Sequence, residues 1–231
     1  MFLLSEETLA QDYAAQRQRM VAEVEAMYAE TRGPTGLAAM SPHVRAALGK
    51  VERHRLVPPG QQALAYRNHP LPIGRGQTIS QPYIVALSTD LVVLQPQHNV
   101  LEVGTGSGYQ AAVLAEIAQR VYSIEIIDSL ARAAKENLAK LNYRNIEIKI
   151  GDGYQGWPEK APFDAIVVTA AAPQVPAALL AQLKAGGRMV IPVGAAGQTQ
   201  ELVLVTKEMD GTSRQKRVLP VRFVPLLPAK Q

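Results

Sequence analysis

From His98 to Val193 the chain alternates short β-type runs with helix-patterned ones, and that alternation leaves few folds open. The runs are Val100–Val103, Ala111–Ala118, Val121–Ile126, Leu130–Leu141, Ile146–Ile150, Phe163–Thr169, Pro176–Leu183 and Met189–Val193. Strands joined through helices pair side by side in one direction, so the pattern predicts an α/β doubly wound, mostly parallel sheet with helices on both faces. Leu202–Lys207 and Arg217–Phe223, around Asp210-Gly211, read as a β-hairpin that adds an antiparallel C-terminal edge. With 231 residues, 47% of them hydrophobic, the chain is the size of a single domain with one good core. It divides into an N-terminal helical extension (1–57), a lid segment with the first core helix (58–97), and the α/β core (98–231).

In the extension, Ser5 before Glu6 and Glu7 reads as a helix cap with acids in the first turn. Leu9, Tyr13, Met20, Val24 and Met27 then recur at helical spacing. Gly33-Pro34 is expected to break this helix, and Ser41-Pro42 to open a second one reaching about Lys50. Residues 58–76 carry Pro58, Pro59, Gly60, Pro70, Pro72, Gly74 and Gly76 without a sustained period, which predicts a loop laid over the domain. The sole tryptophan, Trp157 in Gly156-Trp157-Pro158, is expected on a loop, partly buried against the sheet.

Several classes of chemistry drop out on composition. The absence of cysteine excludes disulfides, thiolate nucleophiles and zinc-thiolate sites. The four histidines, His43, His54, His69 and His98, lack metal-ligand spacing, so no metal is expected. No apolar run approaches the ~20 residues of a membrane span or the ~7–15 of a signal peptide, which predicts a cytoplasmic protein without a membrane partner. The net charge of +4 comes from the C-terminal section, where six basic residues (Lys207, Arg214, Lys216, Arg217, Arg222, Lys230) face two acidic ones. A basic tail section of that kind argues weakly for a nucleic-acid partner.

Val103-Gly104-Thr105-Gly106-Ser107-Gly108-Tyr109 ends the first core strand and opens a helix, the place where a doubly wound sheet binds its ligand. The dinucleotide fingerprint wants its third glycine or alanine at position 109, where this chain has Tyr, so a pyrophosphate is not the natural guest. Glu125, at the end of the next strand, can accept hydrogen bonds from both hydroxyls of a ribose. Asp152, after the third strand, can accept from the exocyclic amine of an adenine. A tight strand-to-helix turn and solvated turn acids explain each feature singly; their order along the chain fits a nucleoside.

With those residues in view, 98–193 resembles the core of the S-adenosylmethionine-dependent methyltransferases, a Rossmann-like sheet. Gly76-Gln77-Thr78-Ile79-Ser80-Gln81-Pro82 resembles the signature of one family among them, the protein-L-isoaspartate O-methyltransferases. Gly151-Asp152-Gly153, Ala161–Ile166, Ala170-Ala171-Ala172-Pro173, Leu183–Arg188, Ile191–Gly194 and Phe223-Val224-Pro225-Leu226 match as well. The similarity spans about Val51 to Leu226, while Gly33–Ala39 departs from the family pattern. The resemblance implies S-adenosyl-L-methionine as cofactor, S-adenosyl-L-homocysteine as product, and methyl transfer to the α-carboxylate of L-isoaspartyl residues in damaged proteins, giving an ester that cyclises to a succinimide. It also implies that Gln77, Thr78 and Ile79 flank the cofactor, with Gly104, Thr105, Gly106, Glu125, Asp152 and Gly153 around it and Ser107 and Tyr109 near its methionine end.

The chemistry suits the residues present. A carboxylate is ionised at neutral pH and needs no general base, in keeping with a chain that offers no obvious catalytic His or Cys. What remains is to align oxygen, methyl carbon and sulfur and to exclude water. Ser80 is the candidate catalytic residue, its hydroxyl donating to one carboxylate oxygen while the other attacks; the same Ser80 reads as the N-cap of an Ile84–Leu94 helix. Arg75, between Gly74 and Gly76, sits where a lid could hinge and attract the substrate anion, or stands as a solvated charge on a loop. The small residues Ala170–Pro173 suit close approach of a peptide backbone. Two other readings stay open: a nucleic-acid methyltransferase or nucleic-acid-binding protein using the basic section, and a nicotinamide oxidoreductase, against which Tyr109 speaks.

Overall fold

The computed structural model describes residues 6–229, and the surroundings of side chains from residue 12 onward. Helices α1 (Glu6–Thr35) and α2 (Pro42–Lys50) come first. Two 3-10 turns, Arg53–Leu56 and Pro59–Leu64, then lead to a small antiparallel hairpin of β1 (Leu71–Gly74) and β2 (Gln77–Ile79). The rest of the chain runs α3 (Pro82–Leu91), β3 (Asn99–Val103), α4 (Tyr109–Ala115), β4 (Arg120–Glu125), α5 (Asp128–Lys140), β5 (Ile146–Ile150), β6 (Phe163–Val168), α6 (Ala177–Gln182), β7 (Leu183–Val193), β8 (Gln200–Lys207) and β9 (Ser213–Val221).

The seven-stranded sheet has the order β5-β4-β3-β6-β7-β8-β9. Strands β3 to β7 pair in parallel, and β8 and β9 are antiparallel to their neighbours, as the alternation and the C-terminal hairpin predict. Alternate strand residues feed two cores. Val100, Val121, Ala165 and Val190 face a layer built from α1 to α5, whereas Leu101, Ile124, Ile166 and Met189 face α6 and Trp157. Because both faces are covered, the parallel strands read as continuous apolar runs. Trp157 is buried, edge-on to Tyr122 at 5.6 Å between ring centroids.

The N-terminal helices join the first core. Tyr28 on α1 donates to Asp90 Oδ2 on α3 at 2.6 Å, and the same oxygen accepts the Ser41 N–H that precedes α2 at 3.2 Å. Ser41 caps α2 through the N–H of Val44, as expected. The expected cap at Ser5 lies outside the described residues.

Three expectations need correction. Helix α1 is not broken at Gly33-Pro34 but runs through both to Thr35. Pro34 sits in the last turn, where its missing N–H forfeits a single helical bond, and the chain leaves the helix at Gly36, whose φ of 78° returns its N–H to Arg32 O. The segment 58–76 is not a plain loop either. Leu71, Ile73 and Ile79 are the buried residues of a two-stranded hairpin whose turn residues Gly74, Arg75 and Gly76 all have positive φ. Four residues interrupted by Pro72 give too short an alternation to register as a strand, and an edge strand tolerates the proline. Likewise β7 starts at Leu183 rather than Met189, because the Lys184–Gly187 turn chemistry is overridden by pairing of Phe163 with Leu183 across a bulge.

Candidate active site

Strand β3 is where the order of the sheet reverses, with β4 on one side and β6 on the other, so a crevice opens beyond its carboxyl end. The glycine turn leads into it. Gly104 has a φ of 100°, and a Cβ there would come within 2.4 Å of Thr169 Oγ1. That hydroxyl donates to Gly104 O at 2.6 Å and to Val103 O at 3.1 Å, tying the end of β6 to the turn. Glycine here serves backbone shape and close packing together.

Glu125 ends β4 buried, with both carboxylate oxygens held: Oε2 accepts the Gly106 N–H at 2.8 Å and Oε1 the Ile127 N–H at 2.9 Å. Each oxygen keeps a further acceptor position, which is what recognition of a diol requires. The crevice is lined by Gln77, Thr78, Ile79 and Ser80 from β2 and the residue after it, by Gly104, Thr105, Gly106, Ser107 and Tyr109 from the turn, and by Glu125 and Gly153. Those positions are the sequence-derived set with one exception. Asp152 does not line the crevice: Oδ1 caps the turn at Tyr154 N–H at 2.8 Å and Oδ2 accepts the Ala229 N–H at 3.1 Å.

Ser80 does not cap α3. The cap position is Gln81, and the first free N–H of the helix, that of Tyr83, donates instead to Asn68 Oδ1 at 3.0 Å. The Ser80 hydroxyl makes no hydrogen bond with the described residues, while its carbonyl accepts from Arg53 at 3.0 Å. Beside it opens a second cleft of about 560 Å³ that shares Thr78, Ser80, Thr169 and Val224 with the crevice and is walled by Met27, Tyr83, Ile84 and Phe223, with Arg222 at its edge. The backbone approaching Ala170–Pro173 belongs to the chain itself: Ala171 N–H donates to Val224 O, and Leu226 N–H to Ala171 O, both at 2.8 Å. The backbone of Ala171 is therefore taken, while Ala170 lines the crevice.

Sequence reasoning missed several residues of the crevice. Val224, Pro225 and Leu226 line it from the C-terminal segment, as does Thr169 from the end of β6. Glu102 lies beneath it, fully buried; Ser123 Oγ donates to one oxygen, and Oε1 has no partner. Its place just before the glycine turn was the available signal. Burial pushes its carboxyl up to about 8, against the pull of the Ser123 bond, and the Glu125 charge raises it further. Tyr109 is also buried with an unpartnered hydroxyl, pushed up to about 12 by burial. The glycine cradle and the held carboxylate of Glu125 fit a ligand that carries a ribose diol, and Glu102 and Tyr109, which contribute to the crevice wall, each hold a buried polar atom without a partner among the described residues.

Among the described residues there is no group of three or more His, Asp or Glu that could hold a metal ion, and no helix is long and apolar enough to cross a membrane. Three of the basic C-terminal residues are engaged. Lys207 Nζ donates to Leu183 O at 2.7 Å and Leu180 O at 3.0 Å, Lys216 Nζ reaches Thr35 O at 3.4 Å, and Arg214 pairs with Glu208.

A doubly wound sheet with a non-dinucleotide glycine turn at its switch point, and an acid held at the next strand end, is the arrangement that the resemblance to the S-adenosylmethionine-dependent methyltransferases implies. Comparison with known proteins narrows the class. The family description "Protein-L-isoaspartate(D-aspartate) O-methyltransferase (PCMT)" matches residues 29–231, and the chain belongs to that family. It is 59% identical over 207 residues to Protein-L-isoaspartate O-methyltransferase 2 of Polaromonas sp., covering 90% of this chain and 98% of the relative. It is 58% identical to Protein-L-isoaspartate O-methyltransferase 1 of Cupriavidus necator, covering 93% and 83%. Among solved structures, a protein-L-isoaspartate O-methyltransferase superimposes with a TM-score of 0.78 at 28% identity; the match covers 90% of this chain but 65% of that one. A Plasmodium falciparum chain assigned to the same enzyme class, in complex with S-adenosyl-L-homocysteine, gives 0.74 at 26% identity over 91% of this chain and 98% of that one.

Proposed function

We propose that the protein methylates the α-carboxylate of L-isoaspartyl residues in damaged proteins at the expense of S-adenosyl-L-methionine, and that the ester closes to a succinimide as the first step of repair. The observation that carries this reading is that Ser80, its hydroxyl free of capping duty, lines the same crevice as the glycine turn and Glu125. Bound there, the cofactor would supply an electrophilic methyl carbon on a sulfonium, with a neutral thioether as the leaving group.

The chain's own residues bind and align. Glu125 would accept the ribose hydroxyls, with Gln77, Thr78, Ile79, Thr105, Gly106 and Gly153 against the nucleoside and Ser107 and Tyr109 toward the amino-acid end. Asp152, beside the crevice-lining Gly153 and with each oxygen accepting a single backbone N–H, from Tyr154 and Ala229, keeps acceptor positions that would take the exocyclic amine of the adenine. Ser80 would donate to one oxygen of the substrate carboxylate and leave the other free to attack. No proton has to be removed from a nucleophile that is already an anion, so the barrier falls by orientation and exclusion of water. The neighbouring cleft would take the peptide on either side of the damaged residue, with Arg222 and the hairpin-tip Arg75 offering cations to the incoming acid. Isoaspartyl peptides and damaged proteins are thus the partners, and the cytoplasm, where a cysteine-free repair enzyme meets ageing proteins, the place of action.

The nucleic-acid reading gains no support, since Lys207, Lys216 and Arg214 are spent on helix carbonyls and an ion pair. The deciding experiment offers a labelled methyl donor to a matched pair of peptides, one isoaspartyl and one normal aspartyl. Base-labile label on the isoaspartyl peptide alone is expected; equal labelling of both, or of neither, overturns the reading.

A further inference from the structure

Arg53 is the largest side chain fully withdrawn from solvent, and no carboxylate forms an ion pair with it among the described residues. Such a cation is expensive to bury, and an apolar side chain of like volume would fill the space more cheaply. Burial pulls its guanidinium down to about 10, so it stays charged at neutral pH. Its polar partners are three carbonyls from three separate stretches of chain. Nε donates to Ala65 O at 2.7 Å, Nη1 to Ser80 O at 3.0 Å and Nη2 to His69 O at 3.2 Å. The face of the guanidinium lies over the ring of Tyr109, with Cζ 4.7 Å from the centroid.

This arrangement touches both sides of the crevice at once. Ser80 hangs its unpartnered hydroxyl from a backbone whose carbonyl Arg53 holds, and Tyr109 is the first residue of α4, directly behind the glycine turn. A planar fork with donors in set directions can fix the spacing of these two groups, which a flexible ammonium cannot. We propose that Arg53 is a positioning residue for methyl transfer: through the carbonyl of Ser80 and the ring of Tyr109 it holds the acceptor side in register with the cofactor side. The inference rests on the function proposed above and adds a residue to it.

Arg53→Lys keeps the charge and loses the fork. At saturating cofactor its kcat on the isoaspartyl peptide is expected to fall about 10- to 100-fold, as misplacement by a fraction of an ångström does. The peptide KM and the Kd for S-adenosylhomocysteine should change less than about threefold, a split that general loosening of the fold would not produce. In a Ser80→Ala background the same change should cost less than about threefold, because Arg53 acts through Ser80. Full additivity of the two substitutions overturns the proposal, as does a kcat loss matched by an equal loss of cofactor affinity. Should Arg53 variants not fold, Tyr109→Leu leaves all three carbonyl bonds in place and approaches the contact from the other side. Its kcat loss should also shrink in the Ser80→Ala background, and additivity there is equally fatal. A wild-type enzyme inactive on the peptide sinks the proposed function and this inference together; an active one with additive variants sinks the inference alone.

Discussion

Ser80 could have spent its hydroxyl on the helix that follows it, and the local pattern Ser-Gln-Pro reads that way. Asn68 takes that duty from a distance, accepting the Tyr83 N–H, and Ser80 is left open to the crevice. Ser80→Ala should therefore leave S-adenosylhomocysteine affinity within about twofold and lower kcat about 10- to 100-fold, the worth of one hydrogen bond to a charged group. Calorimetry and initial rates on the isoaspartyl peptide check both halves, and an unchanged kcat removes Ser80 from the chemistry. Glu102 makes a second prediction at this scale. Its carboxyl is raised from its ordinary 4.5 to about 8, so the folded state holds a proton that the unfolded chain releases. The stability this contributes is fully present below about 4.5 and is lost as pH rises toward about 8. Glu102→Gln, neutral at every pH, should melt above the wild type at pH 8.5, with the gap closing toward pH 4.5. A gap that stays constant across pH would dismiss the assignment.

Elements differ in how far their own residues account for them. Strands β3 to β6 and α5 fall where apolar runs and helical spacing put them, because burial on a packed face imprints its period on the sequence. Helix α1 and the β1–β2 hairpin do not follow their local signals. A proline in the last turn of a long helix costs little once Tyr28 and Met20 are packed in the core, and a four-residue edge strand is held by what lies beneath it. Helix α3 depends on another segment for its first turn. Asn68→Ala removes the acceptor for the Tyr83 N–H and should cost about 1 kcal/mol, the usual worth of a cap, measured as a lower urea midpoint with unchanged slope. No loss of stability would mean that water substitutes for the amide.

At the scale of the whole molecule, the C-terminal basic section argues only weakly for a nucleic-acid partner in the sequence, and in the structure its Lys207 acts as internal fastening. Lys207 bonds the carbonyls of Leu180 and Leu183 at the end of α6, where a cation also opposes the helix dipole. Lys207→Ala should lower stability by about 1–2 kcal/mol, from the lost bonds and dipole term, and the wild type should pass over immobilised DNA without salt-sensitive retention. Retention that falls steeply with salt would restore a nucleic-acid role. The sequence by itself determined the parallel sheet, its antiparallel edge, the ligand turn after Val103 and the acid at Glu125, since each leaves a local trace in periodicity, glycine spacing or strand-end chemistry. Only the tertiary structure decided that Ala229 occupies Asp152, that residues 224–226 close over Ala171, that Ser80 is free, and that a buried arginine at position 53 gathers Ala65, His69, Ser80 and Tyr109. Those contacts join residues far apart along the chain, and a contact made by distance in space has no period to leave behind.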